Sequence, residues 1–364
     1  MTELRVLRTE QAAEWHDVLA RCGPYDFYHL PQYHALAEDQ GEGAGHLFVY
    51  TEGGYTVALP LLLRPLEAVP GLAPVGPAGR DATSVYGNAG PVASHPALPD
   101  EVVRNFQAAL HGRLRELGVV AVFSRLHPLL PQRGLLEGLG ECKALAPTVS
   151  IDLSLPPDLQ RARYRRNHKE GINRLRRLGV SCLHDRERRH LPEFIQLYFE
   201  TMRRVHAAGS YFFPPAYFEG LCSRLGEHMH LFVCLLEGRV ICGGLFGACG
   251  GIVQYHLGGT LDDFLKLAPM KLLTDEVRLW GTGQGFGVFH LGGGATPRPD
   301  DSLLHFKAGF SDRRHDFCVW RWVLFPDIYT QLCRGKLLWN ERNRLRPTLA
   351  EYFPAYRCPT VPAV

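Results

Sequence analysis

Apolar and polar residues alternate along the chain at two periods, one that suits strands and one that suits helices, and the same order of runs occurs twice. In the first half, Leu47 to Tyr50 and Tyr55 to Arg64 are short β-rich runs. They are joined by Glu52-Gly53-Gly54, a hairpin signal. A third run near Val85 follows a Pro/Gly-rich loop. From Leu98 to Leu117, Val102, Phe106, Ala109, Leu110, Leu114 and Leu117 recur at helical spacing. Gly118 closes that helix, and Val119 to Phe123 reads as a buried strand.

The second half repeats this order. Strands are predicted over His230 to Leu236, Arg239 to Phe246 and Ile252 to Leu257, a helix over Ala268 to Trp280, and a last strand over Gly287 to Leu291. Glu237-Gly238 makes the hairpin turn. Two helical stretches, Leu191 to His206 and Pro215 to Leu225, precede the second set, as Gln11 to Arg21 and Gln32 to Gln40 precede the first. Repetition of this kind predicts a duplicated domain, each copy a mixed sheet flanked by helices with a right-handed crossover. The expected class is α/β (α+β). The join falls near Pro147 to Ile151, giving a first domain at 1–150 and a second at 151–326. After a strand-like run at Trp320 to Phe325, Asp327 to Asn343 reads as a helix without a partner of its own, so residues 327–364 are expected to return to the first domain.

Composition agrees with packed units: 46% hydrophobic and 21% charged residues exclude a disordered chain. The longest apolar run, Val57 to Leu63, is too short to cross a bilayer and contains Pro60. No secretory leader is visible at the N-terminus, so a cytoplasmic location is expected. The ten cysteines form no CxxC pair and read as small reduced hydrophobes. Seventeen histidines show neither HExxH nor ligand spacing, so no metal site is expected. A net charge of +3 does not point to DNA. The charge is concentrated in Arg161 to Arg177, where seven arginines and a lysine face one glutamate. Arg165, Arg166 and Arg176 there are candidates for holding an anionic donor; the other reading is a solvated face over a stripe of Leu159, Tyr164, Ile172 and Leu175.

The most distinctive stretch is Phe289 to Phe310, FHLGGGATPRPDDSLLHFKAGF. A strand ends in three glycines, which allow tight turning and close approach of a ligand to the backbone. A polar loop follows, and Lys307 then emerges among Leu304, Phe306 and Phe310.

The order of strand, GGG, Pro/Asp-rich loop and LLHFKAGF resembles the Fem family, the aminoacyl-tRNA-dependent transferases that add amino acids to peptidoglycan stem peptides. FYHLPQYHAL (27–36), DATSVYGNAGP (81–91), FSRLHPLL (123–130), RYRRNHKEGINRLRRLGV (163–180) and LYFETMRR (197–204) extend the resemblance over most of the chain. No lysine lies in 27–40, and the long coiled-coil arm of some members is missing. The resemblance implies two tandem GNAT-like domains, with Lys307 at the acceptor or acyl-donor site. It makes Thr201, Arg203 or Arg204, Tyr211 and Tyr255 candidates for binding the phosphate, sugar or peptide of an acceptor.

The expected reaction is transfer of an amino acid from aminoacyl-tRNA to an amine of a peptidoglycan or lipid-linked precursor, with no cofactor beyond the donor. Lys307 would stabilise developing negative charge, and His290 or Asp301 would assist proton removal. An N-acyltransferase using acyl-CoA or an acyl carrier protein in envelope or exopolysaccharide synthesis is the alternative. Against it, Lys266 to Lys271 stands where a glycine-rich pyrophosphate loop would open the helix. A non-catalytic scaffold that binds a precursor is the third reading.

Overall fold

The structure, a computed structural model, describes residues 3–72, 78–296, 298 and 300–363. Residues 73–77 of the Pro/Gly-rich loop, and Pro297 and Pro299 of the loop before Lys307, lie outside the described residues. The chain divides into two compact units. One comprises Met1–Pro24, Tyr28–Leu145 and Phe317–Val364; the other comprises Tyr25–Phe27 and Ala146–Asp316.

In the first unit the strands run in the order Glu3–Arg8, Ala44–Glu52, Tyr55–Pro65, Arg80–Thr83 and Val119–Arg125, with the end of Arg314–Val323 beyond them. Arg80–Thr83 and Val119–Arg125 are parallel and the other neighbours antiparallel. Gly53 and Gly54 both have positive φ, 56° and 90°, and Glu52 pairs with Tyr55, the geometry of a two-residue hairpin turn. The helix Asp100–Glu116 buries Val102, Phe106, Leu110 and Leu114 against a core that includes Phe48, Tyr50 and Trp320. The helix Pro326–Arg342 belongs to this unit. Its Leu332 packs with Leu66, Ala78, Val120 and Tyr356, and Lys336 Nζ donates to Pro70 O at 2.8 Å.

In the second unit the order is the end of Glu141–Asp152, then Val288–Gly293, Ile252–Thr260, Arg239–Cys249, Met229–Leu236 and Ser181–His184. Ile252–Thr260 and Val288–Gly293 are parallel; the remaining pairings are antiparallel. Glu237 and Gly238, at φ 52° and 77°, repeat the hairpin geometry of the first unit. One face of this sheet is covered by the basic helix Arg166–Arg177 and the helix Met270–Gly283. Their Ile172, Leu175, Leu272, Leu273 and Val277 join Phe246, Val253, Phe289 and Leu291. The helices Leu191–Arg204 and Pro215–Leu225 cover the other face, where Tyr217 Oη meets His256 Nε2 at 3.2 Å. Each unit is thus a mixed sheet flanked by helices. No described helix is long and apolar enough to cross a membrane.

Candidate active site

The site grows from one strand end. Val288–Gly293 pairs with Glu141–Asp152 through a register shift between His290 and Gly292, where the backbone turns to φ 78° at Gly292. Each glycine of the triplet has its own reason to lack a side chain. A Cβ on Gly292 would lie 3.3 Å from Lys307 Nζ, one on Gly293 would press to 3.2 Å from Pro147 O, and one on Gly294 would strike Asp301. The Gly293 carbonyl accepts from the Lys307 ammonium at 2.7 Å.

Asp301 then starts a one-turn helix, Ser302–Lys307, that the sequence pattern does not reveal. Its carboxylate accepts from Leu304 N at 2.8 Å, Ala295 N at 3.1 Å, and Thr296 N and Oγ1 at 2.9 Å. Burial raises its pKa, but these hydrogen bonds outweigh burial and leave it below the ordinary carboxylate value. A carboxylate so fully engaged holds the loop and caps the helix that aims Lys307.

Lys307 lines a cleft of about 210 Å³ together with Tyr255, Met270, Leu291, Phe306 and Phe310, and among the described lining residues it carries the only charge. Its Nζ stands 5.4 Å from the centre of the Tyr255 ring, within cation–π range. Burial pushes the ammonium down to about 8, with the charge of Asp301 pulling the other way. The result is a poorly hydrated cation, still mostly protonated at neutral pH, in an apolar wall. Tyr255 can take its pose because Gly258 has no side chain: a Cβ there would fall on the phenol hydroxyl.

The remaining sequence candidates lie elsewhere. His290 is fully buried and contacts Gln254 Oε1 through Nδ1 at 2.7 Å. Strand alternation turns it to the opposite face from Leu291, away from the cleft lining. Thr201 Oγ1 accepts from Thr260 N at 3.0 Å, and Arg204 donates to Thr260 O at 3.0 Å and pairs with Asp262. These two fasten the helix Leu191–Arg204 to the strand that carries Tyr255, whose last residue, Thr260, also lines the cleft. Arg203 is exposed, and Tyr211 is exposed on a short 3₁₀ turn, where its carbonyl accepts from Tyr198 Oη at 2.8 Å.

In the basic segment, Arg176 donates to Asp275 at 3.0 Å and to Glu276 at 2.6 Å. Arg165 grips the lysine helix: its backbone N–H donates to Gly309 O at 2.8 Å, and its guanidinium reaches His305 O at 3.1 Å and His305 Nε2 at 2.8 Å. Arg166 projects outward and pairs with Glu170 at 2.7 Å.

Three contributors escape the sequence reading. Asp275, fully buried, gathers Arg161 at 2.9 Å, Arg176 at 3.0 Å, Arg278 at 2.8 Å and the Tyr164 hydroxyl at 3.1 Å. The available signal was a carboxylate three residues from Leu272 inside an apolar stripe. His168 Nε2 lies 3.0 Å from Phe306 O, and its ring fits because Gly309 has no Cβ. Gly258 is the third.

The first turn of the helix Met270–Gly283 is also informative. Lys271 N donates to Ala268 O at 3.0 Å, and Leu272 N and Leu273 N donate to Pro269 O at 3.0 and 3.1 Å. Pro269 has no N–H to offer. The N–H groups of Lys271, Leu272 and Leu273 are therefore engaged within the chain, and not presented outward as a helix start presents them to a diphosphate.

Comparison with known proteins places this site in context. Residues 162–307 match the family model described as an acetyltransferase (GNAT) domain. No curated protein matches the sequence significantly. Among solved structures, the chain is similar to FemX, with a TM-score of 0.69 at 14% identity over 90% of this chain and 99% of that one. It is also similar to L-PGS from Bacillus licheniformis, with a TM-score of 0.52 at 14% identity over 86% and 91% of the two chains. A conserved protein of unknown function from Bacteroides thetaiotaomicron gives 0.54 at 10% identity over 88% and 99%. Residues 162–307, which supply most of the cleft, match the GNAT acetyltransferase model, and the chain that carries them has the fold of FemX.

Proposed function

We propose that this acyltransferase moves an amino acid from aminoacyl-tRNA to an amine of a peptidoglycan precursor, with the Lys307 cleft as its reacting centre. The observation that carries the choice of donor is the start of the helix Met270–Gly283, which opens on Pro269 and whose Lys271, Leu272 and Leu273 N–H groups are internally bonded. That arrangement suits an ester donor better than the diphosphate of an acyl-CoA. The motif order from the glycine triplet to HFKAGF, which resembles the Fem family, supports the same reading.

In the reaction the acceptor amine attacks the ester carbonyl, the carbonyl oxygen gains negative charge, and collapse expels the ribose oxygen, which takes up the proton lost by the amine. An ester is already activated, so positioning and a fixed charge suffice without a covalent enzyme intermediate. Lys307 stabilises the oxyanion. Tyr255 and the Gly293 carbonyl hold the ammonium in place, and Asp301 and Arg165 fix the helix that presents it. Thr201 and Arg204 support the Tyr255 strand, leaving Arg203 and Tyr211 as the exposed candidates for acceptor contact. Arg166 is the outward-facing candidate for a donor phosphate.

The test is to incubate the pure protein with labelled aminoacyl-tRNAs or labelled acyl-CoA, together with cell-wall precursors, and follow the label. Movement from tRNA to a precursor amine is the expected result. Movement from acyl-CoA alone would make the chain an N-acyltransferase, and precursor binding with no transfer from either donor would make it a scaffold.

A further inference from the structure

The C-terminal helix has two opposed faces. Leu332, Lys336 and Asn340 are buried at i, i+4 and i+8. Arg334, Leu337, Leu338, Glu341 and Arg342 recur at i, i+3, i+4, i+7 and i+8 on the outward side. Leu337 and Leu338 are 51% and 44% exposed, far more than a packed leucine. The chain continues into a two-stranded ribbon, Leu345–Pro347 with Thr360–Pro362, in which Arg346 sits opposite Val361. Leu349 and Val361 are exposed as well, at 60% and 38%.

Arg334, Arg342, Arg344 and Arg346 are all exposed, and none has an ion-pair partner among the described residues. The acids of the segment do not cancel them: Glu351 is paired with Lys143, Asp327 lies at the far end of the helix, and Glu341 alone stands within the cluster.

We propose that this helix and ribbon dock on an anionic phospholipid bilayer, the arginines meeting lipid phosphates and the leucines entering the interface. Unpaired arginines alone would fit any polyanion. Four apolar tips among them fit a surface with a hydrocarbon layer beneath its phosphates, and they have nothing to contact on a nucleic-acid backbone. The inference does not depend on the reading of the cleft.

The full chain should float with vesicles of phosphatidylcholine containing phosphatidylglycerol and not with phosphatidylcholine alone. Arg342→Gln and Arg344→Gln should each weaken binding about five-fold. The double change Leu337→Gln with Leu338→Gln should weaken it about ten-fold or more. All of these side chains are exposed, so melting temperature and circular dichroism should not change. No binding to the anionic vesicles would overturn the proposal, as would full binding by the double leucine variant. Binding of tRNA in place of vesicles, weakened by the arginine changes and untouched by the leucine changes, would overturn it in favour of a nucleic-acid surface.

Discussion

Lys307 owes its proposed chemistry to its surroundings. The same ammonium on an open surface would be a hydrated charge of little effect. Here burial lowers it to about 8, and a carbonyl and an aromatic face fix its direction. If the charge stabilises the transition state, transfer should fall as pH rises through about 8, and Lys307→Met should lose that limb of the profile. Stability should move the other way. The folded lysine gives up its proton near 8 and the unfolded one near 10.5, so between those values the unfolded chain binds more protons and this group's contribution to stability rises with pH. Comparing denaturant midpoints of the native chain and the variant across that window checks the sign. At this scale residue types were legible in the sequence and geometry was not. The glycine triplet announced a close approach, but only the backbone reveals that one glycine turns, one accepts and one clears Asp301. His290 drew notice as a titratable residue beside the triplet, yet a one-residue step along a strand reverses the face.

Among the elements, the basic helix is built around a buried carboxylate. Asp275 binds Arg161, Arg176 and Arg278. Removing its charge would strip Arg161 and Arg278 of their ion-pair partner and leave Arg176 with Glu276 alone. Asp275→Asn should therefore destabilise the second unit by about 3–5 kcal/mol, measured by chemical denaturation. Arg176→Gln should lower stability, whereas the exposed Arg166→Gln should leave it within about 0.5 kcal/mol. Equal effects of the two arginine changes would contradict the assignment. The amphipathic stripe of this helix was readable from sequence. What its charges face was not, because Asp275 is about a hundred residues further along the chain. The lysine helix was missed because it is a single turn in a loop rich in proline and aspartate, and its cap, Asp301, resembles an ordinary loop acid until the four groups it binds are seen.

For the whole molecule, repeated apolar runs recovered a mixed sheet flanked by helices in both units, since strand and helix periods are local properties. The strands Glu3–Arg8, Ser181–His184 and Glu141–Asp152 were not read, the last two being short or half polar. The second unit runs from Ala146 to Asp316 where the sequence reading had 151–326, so Phe317 to Phe325 belong to the first unit, and Tyr25–Phe27 group with the second. Val149 to Asp152 pairs with the glycine strand, and Val319 to Val323 pairs with Val119–Arg125. Deleting the chain from Pro326 onward removes Leu332 and Tyr356 from the cluster around Leu66, Ala78 and Val120. Such losses cost about 2–5 kcal/mol per large side chain. The truncated protein should therefore melt earlier and aggregate, and an unchanged melting temperature would refute this role for the segment.

The measurement that bears most directly on the account is the single-turnover transfer rate of Lys307→Met beside the native chain, with the donor and acceptor found by the labelling experiment. Methionine preserves the length and apolar stem of the lysine and removes its charge. The expected result is a folded protein whose transfer step is slowed by roughly 10²–10³, as when one oxyanion donor is removed. A folded Lys307→Met protein that transfers at the native rate would contradict the claim that this cleft carries the reaction.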